Sequence, residues 1–260
     1  MLVAVMNGDV KELAGLIRQD PGFKVNMRRD VFGRTLLHYA CWDNKSYPVF
    51  PLLLAHPDID VNLKAKNGHS PFYLACYGNT SCVREMLRDS RVEVNQRNNN
   101  ECTPLWCAAH RCHLDVIKWW IASGREMDLG TPGDVLKTDA IGAAKKEGAT
   151  EVVILLERFK NDAVQTKHAM RVELGWYDEA AAEMFALVVF VSDGLLQFND
   201  TTSSPAARYF KIVGRLPLEL QMVLCFRQMG SGREIISGKD SDVAFKSLAK
   251  RLVWSSIFTN

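Results

Sequence analysis

Residues 60–75 read DVNLKAKNGHSPFYLA. An extended triplet, Asp60-Val61-Asn62, runs into a short polar segment with Gly68, then Ser70-Pro71, then an apolar run. The stretch is either a loop between two ordinary elements or one copy of a repeated unit. A single loop leaves room for an active site, whereas a repeat points to a binding face. The neighbouring sequence decides between them. The triplet recurs as Lys24-Val25-Asn26 and Glu93-Val94-Asn95, so its Asn falls at 26, 62 and 95, separated by 36 and 33. After each comes a turn region and then Thr35, Ser70 or Thr103, separated by 35 and 33, with Ala40, Ala75 or Ala108 five residues further on. Apolar pairs close each second helix at Leu16/Ile17, Leu52/Leu53, Met86/Leu87, Trp120/Ile121 and Leu155/Leu156, their first members 36, 34, 34 and 35 apart. Five copies at one period make a repeat array.

Each marker has a physical reason. Thr or Ser before a helix accepts a hydrogen bond from an otherwise orphan backbone N–H. Pro71 and Pro104 fall at a first helical position, where a missing N–H costs nothing. Gly33 and Gly68 permit positive φ in the turn. A fixed Ala lets two helices approach closely. No unit can bury its apolar face alone, so neighbours must stack.

TLLHYAC (35–41), SPFYLAC (70–76) and TPLWCAA (103–109) resemble degenerate copies of the ankyrin signature T-P-L-H-x-A-A, and VNMRRDVFGRT, VNLKAKNGHS and VNQRNNNECT resemble its hairpin. The resemblance covers residues 1–160 as units 1–25, 26–61, 62–94, 95–129 and 130–160. The first is only a helix pair, and the last has Asp139 at the Thr position and no Pro. It implies an all-α solenoid with short β-hairpin turns. His38 is the one retained signature His, expected to bond Thr35 and the neighbouring turn. Tyr73 and Trp106 replace it in the next units, which makes the position one of packing.

Beyond about Lys160 the period stops, and residues 161–260 form a domain's worth of chain. KNDAVQTKHAMRVEL, YDEAAAEMFALVVFVSDG, AARYFKIVGRL, PLELQMVLCFRQMG and SDVAFKSLAKRLVW read as helices, and FNDTTSSP (198–205) as a loop. An all-α C-terminal domain packing on the last repeat is expected. RLPLELQMVLCF also resembles the start of an F-box, a helical module that docks on a ubiquitin-ligase scaffold protein, with Leu216, Pro217, Glu219, Leu220 and Leu224 at the matching positions. The same residues also suit an ordinary capped amphipathic helix, since Pro and Glu favour a first turn.

Composition excludes several classes. With 47% hydrophobic residues, 24% charged and a formal charge of +2, the chain is globular and shows no nucleic-acid-binding excess of charge. The longest apolar run, Phe185–Val191, is 7 residues, far short of the ~20 of a membrane span. The N-terminal MLVAVMNGD lacks a basic segment and does not read as a signal peptide. Seven Cys without framework spacing then suggest reduced thiols in the cytoplasm or nucleus. Cys102, Cys107, His110, Cys112 and His113 cluster without zinc-ligand spacing, so no metal is expected. MGSGREIISGK (229–239) lacks the order of a phosphate loop, and no catalytic constellation or cofactor motif is visible. The Trp119-Trp120 pair falls on a core position of a second helix.

A non-enzymatic interaction module is therefore expected. The ankyrin resemblance implies a partner gripped by hairpin tips and by the open side of the first helices, together a concave face. Carried over, the tips are Val31, Phe32 and Arg34, then Lys66, Asn67 and His69, then Asn99, Asn100 and Cys102. The helix positions are Trp42 and Asp43, then Tyr77, then His110 and Arg111, then Lys146 and Glu147. Exposed Phe32, Trp42 and Tyr77 would anchor the partner. Arg28, Arg29, Arg34, Lys64, Lys66 and Arg97 along the tips suggest a protein partner of acidic character. The alternative is a ubiquitin-ligase adaptor, with the repeats as substrate receptor and the F-box-like helix as dock.

Overall fold

The structure is a computed structural model, and it describes all residues except 21, 132–137, 197–204, 231–235 and 259–260. Most of the FNDTTSSP stretch and the middle of MGSGREIISGK lie outside the described residues. The chain divides into two compact units, Met1–Met170, which also takes in the chain from Trp254, and Arg171–Val253.

The first unit is a stack of helix pairs: α1 (Leu2–Asn7) with α2 (Val10–Gln19), α3 (Leu36–Trp42) with α4 (Phe50–Leu54), α5 (Pro71–Ala75) with α6 (Thr80–Arg88), α7 (Pro104–His110) with α8 (Leu114–Ser123), and α9 (Ala140–Lys146) with α10 (Thr150–Asn161). A 3-10 turn, Asn44–Val49, is inserted between α3 and α4. Helix starts follow the capping residues. Ser70 Oγ accepts the Tyr73 N–H at 3.1 Å and Thr103 Oγ1 that of Trp106 at 3.0 Å. Asp139 takes the place of Thr and accepts from the Gly142 N–H at 2.7 Å. Ala40, Ala75, Ala108 and Ala144 are fully buried, each five residues after its cap. There α3 packs on α5, α5 on α7 and α7 on α9, while α6 packs on α8 and α8 on α10. Cys41 and Cys76 fill the second small position and are equally buried. Phe72 meets Trp120 edge-on at 5.0 Å in the core between the third and fourth units.

No strand occurs among the described residues. Each hairpin is closed by a backbone bond instead: Arg29 N–H to Arg34 O, Ala65 N–H to His69 O, Asn98 N–H to Cys102 O. Successive tips are then tied together, Lys66 N–H to Phe32 O at 2.9 Å and Asn99 N–H to Asn67 O at 3.2 Å. The recurring Asn has a job of its own. Asn26 donates to Asp58 O and accepts from Asp60 N–H, and Asn62 donates to Arg91 O and accepts from Glu93 N–H. Asn95 accepts from Asp128 N–H. Every copy of the Val-Asn marker clasps the loop that leads into the next unit.

Gly33 and Gly68 turn their hairpins at φ 73° and 78°, as expected. The equivalent position in the fourth unit is Glu101, which is held at φ 60°. A side chain at Gly68 would run into Asn99 of the next tip, so Gly is required there by space as well as by torsion.

Beyond the repeats come α11 (Ala163–Glu173), α12 (Trp176–Ser192), α13 (Pro205–Val213), α14 (Leu218–Met229) and α15 (Gly238–Phe258). In the second unit, Ala181, Ala182, Phe185, Ala186 and Val188 of α12 form one core with Val213, Cys225, Phe226, Ile236 and Ala244. The small residues on α12 let α14 close on it. Pro217 caps α14 from just outside rather than opening it, and Gly230 ends it at φ 77°. Lys246 donates to Asp242 at 2.6 Å, one turn apart on α15.

Candidate protein-interaction face

Four aromatic side chains stand half open or fully open on the hairpins and first helices of units two to four. Phe32 is 56% exposed and Trp42 47%. Arg34 lies between them, its guanidinium 4.9 Å from the Phe32 ring and 4.1 Å from Trp42. The guanidinium is itself held by Asp30 at 3.9 Å, which also receives the Arg34 N–H and the Tyr39 hydroxyl. Those donors hold the Asp30 carboxyl below its usual range against the opposing effect of burial. The Phe32–Trp42 pair is thus braced before any partner arrives.

In the next unit His69 stacks on buried Tyr73 at 4.3 Å and sits 6.1 Å from Tyr77. Burial, with Arg34 nearby, lowers the His69 pKa. Tyr77 is half-buried, and the Arg111 guanidinium covers its ring at 5.0 Å. In the fourth unit half-buried Trp106 stacks on His110 at 4.8 Å, and His110 Nδ1 lies 3.2 Å from the Glu147 carboxylate. Tyr77 and Trp106 pack around the same buried group of Tyr73, Cys102 and Cys107, which makes the row continuous from unit three to unit four.

His38 sits beneath this row, fully buried. Its Nδ1 accepts the Thr35 N–H at 3.0 Å and faces the Thr35 hydroxyl at 2.8 Å, so Nε2 carries the proton and donates to His69 O at 3.2 Å. Both nitrogens are satisfied in the neutral ring. Burial is the largest cause that pushes its pKa down to about 4, opposed by the His69 carbonyl and reinforced by Arg28 and Arg34. The expected structural bond to Thr35 and the next turn is present.

Several sequence expectations need correction here. Cys102 is not a tip residue: it is 4% exposed and belongs to the buried group around Tyr73. Tyr77 and His69 are half-buried because ring contacts cover one face of each. Three of the six tip cations are engaged within the array itself. Arg28 donates to Gly33 O and Lys64 O, Lys64 to Arg97 O, and Arg97 to Asp128. Arg34 is enclosed by Phe32, Trp42 and Asp30. Asp43 accepts from the Lys45 N–H and so caps the 3-10 turn. Asn67 accepts from the His69 N–H, Asn99 donates to Lys66 O, and the Asn100 N–H is held by Asn98. Lys66, Asn67, Asn99, Asn100, Arg111 and Lys146 are exposed. Trp106 belongs to the face and was placed only as a packing residue by sequence. Its signal was present, since it stands at the signature His position with His110 one turn on.

In the second compact unit Pro217, Leu218, Glu219 and Leu220 are exposed, while Leu216 and Leu224 are half-buried. No helix among the described residues is long and apolar enough to cross a membrane.

The ankyrin-repeat family matches residues 43–131 in three copies. Those three copies are ankyrin repeats. They mark a protein–protein interaction module. The chain is 30% identical over 161 residues to the human SMC5-SMC6 complex localization factor protein 1, covering 58% of this chain and 15% of that protein. It is 29% identical over 120 residues to alpha-latrocrustotoxin-Lt1a of Latrodectus tredecimguttatus, covering 42% of this chain and 8% of the toxin. Over 139 residues it is 24% identical to the ankyrin repeat and KH domain-containing protein mask-1 of Caenorhabditis elegans, covering 52% and 5%. The chain therefore spans less than a sixth of the length of each of these relatives.

Proposed function

We propose that this ankyrin array is a non-enzymatic scaffold that captures a partner protein on its concave face, with Phe32, Trp42, Tyr77 and Trp106 as anchors. The supporting observation is the braced, half-open aromatic row across units two to four. Aromatic side chains held rigid before binding are the residue types that dominate interface energetics. Asn67, His69, Asn99, Asn100, His110 and Lys146 form the rim. All seven cysteines lack disulfide partners and only Cys112 is exposed, which fits the cytoplasm or nucleus. The test is Trp42→Ala combined with Tyr77→Ala. Partner capture is expected to disappear, with the melting temperature lowered by no more than a few degrees. Loss of the fold would show that these residues belong to the core, and unchanged capture would place the interface elsewhere.

A second reading rests on the exposure of α14's first turn. Leu218 is 55% exposed and Leu220 50%, with Pro217 and Glu219 open beside them. An F-box-like dock on a ubiquitin-ligase scaffold protein would need Leu216, Pro217 and Leu220 accessible; Pro217 and Leu220 are, and Leu216 is half-buried. Co-precipitation with such a scaffold, lost on Leu218→Glu with Leu220→Glu, would support the adaptor role. Absence of binding by the unaltered chain would end it.

A further inference from the structure

Once the side chains that hold the array together are set aside, the charges left on the aromatic face are uneven. Lys66 is exposed on the third tip with no ion pair and lies directly beside the Phe32 turn, whose carbonyl its own N–H binds. Arg111 is exposed on the fourth unit with only the Tyr77 ring against it, and Lys146 is exposed on the fifth. On this face, among the described residues, each of these three units carries one cation outside an ion pair. Of the carboxylates nearby, Asp30 holds Arg34 and Tyr39, and Glu101 shares Arg97 with Asp128; Asp43 accepts a backbone N–H and Glu147 faces the His110 ring, a counter-ion only when protonated. The apolar exposure is concentrated at the other end, in unit two, where Val31 is 77% exposed beside Phe32 and Trp42.

Apolar anchor and cations are therefore arranged in order along the array. We propose that the partner is an extended acidic segment of another protein, with one bulky apolar side chain seated on the Phe32–Trp42 platform and carboxylates running over Lys66, Arg111 and Lys146. This rests on the module reading above and adds the chemistry and direction of the bound segment. A nucleic acid strand fits less well. It carries a phosphate at every nucleotide and is held by cations at comparable density, whereas here each unit offers one.

Panning a random 12-mer peptide library on the full chain tests this. Enriched peptides are expected to carry a bulky apolar residue followed on one side by Asp or Glu. A synthetic consensus peptide should lose at least about thirtyfold in affinity to Trp42→Ala. Lys66→Glu and Lys146→Glu should each cost about fivefold and flatten the salt dependence. All three positions are exposed, and thermal melts of the variants confirm folding. Enriched peptides that are neutral or basic, charge reversals without effect, or no enrichment at all would overturn the acidic-segment inference. So would salt-dependent binding of a single-stranded oligonucleotide in preference to the peptide. If charge reversals do nothing but Trp42→Ala still abolishes binding, the module reading survives without its acidic partner. If Trp42→Ala with Tyr77→Ala leaves peptide binding intact, the module reading itself fails.

Discussion

Two sets of residues a few positions apart on the same hairpins have opposite fates. Arg28 and Lys64 hydrogen-bond backbone of the next unit, while Asn26, Asn62, Asn95 and Arg97 hold the loop that leads into it, Arg97 through Asp128. Phe32, Lys66 and Asn67, at or beside the turn, point outward and are exposed. The same contrast separates the tryptophans, for Trp120 is fully buried while Trp42 stays half open. The lesson is that a charged or aromatic residue on a repeat cannot be assigned to binding by type alone. A polar side chain two to six positions before the tip lies within reach of unpaired carbonyls in the neighbouring loops, and satisfying them takes precedence over facing solvent. At the tip Asn99 still finds such a carbonyl, Lys66 O, whereas Phe32 has no polar group to offer one.

The sharpest way to break this contrast is the tryptophan pair. Trp120→Ala is expected to cost about 4 kcal/mol by opening a core cavity against Phe72, whereas Trp42→Ala should cost less than about 1 kcal/mol. Urea unfolding measures both. Equal losses would mean that Trp42 is a core residue and the face is misplaced.

Acid comes next. The His38 ring stays neutral in the fold down to about pH 4, whereas in the unfolded chain it takes a proton near its ordinary value of 6.5. Below 6.5 the unfolded state thus binds more protons, and stability falls as pH drops. The loss amounts to about 3 kcal/mol by pH 4, where the folded ring also titrates. His38→Gln should flatten the pH dependence of unfolding over that window. A profile as steep as that of the unaltered chain would assign the effect to other groups.

Asn62→Ala removes two bonds of 2.8 Å to the loop that leads into the following unit. It should lower stability by about 1.5 kcal/mol and leave peptide binding unchanged, which separates the inward set from the outward one. The smallest effect belongs to Glu101. It occupies the position of Gly33 and Gly68 at φ 60°. Relieving a left-handed non-glycine residue gains about 1–2 kcal/mol, offset by about 0.5–1 kcal/mol of extra chain entropy. Glu101→Gly should therefore raise the thermal midpoint by a few degrees. A fall would show that Glu101 makes a contact beyond its long pair with Arg97.

Much of the array was legible because its markers act locally. Ser70, Thr103 and Asp139 cap helices through bonds to residues three positions on, and Gly68 turns a hairpin through its own torsion. The small residues Ala40, Ala75 and Ala108 are read by periodicity. The insertion between α3 and α4 was not legible. Its Asn44-Lys45-Ser46-Tyr47-Pro48 stretch carries no marker, and only the displaced spacing of 36 between successive units hints at it. The face was half legible. Phe32 and Trp42 are exposed as expected, but Cys102 is not, since whether a tip side chain faces solvent or Tyr73 depends on the unit beside it.

By itself, then, the sequence determined the repeat, its register, its caps and turns, and the helical character of the second unit. These follow from hydrogen bonds and torsions within a few residues of one another. Tertiary structure alone decided which of the tip cations remain free, that Arg34 braces two rings instead of meeting a partner, and that the recurring Asn serves as a clasp. The first and last of these depend on groups about 30 residues away in the chain, brought within reach only when one unit stacks on the next; the Arg34 brace depends on how the folded hairpin sets Phe32 and Asp30 against Trp42.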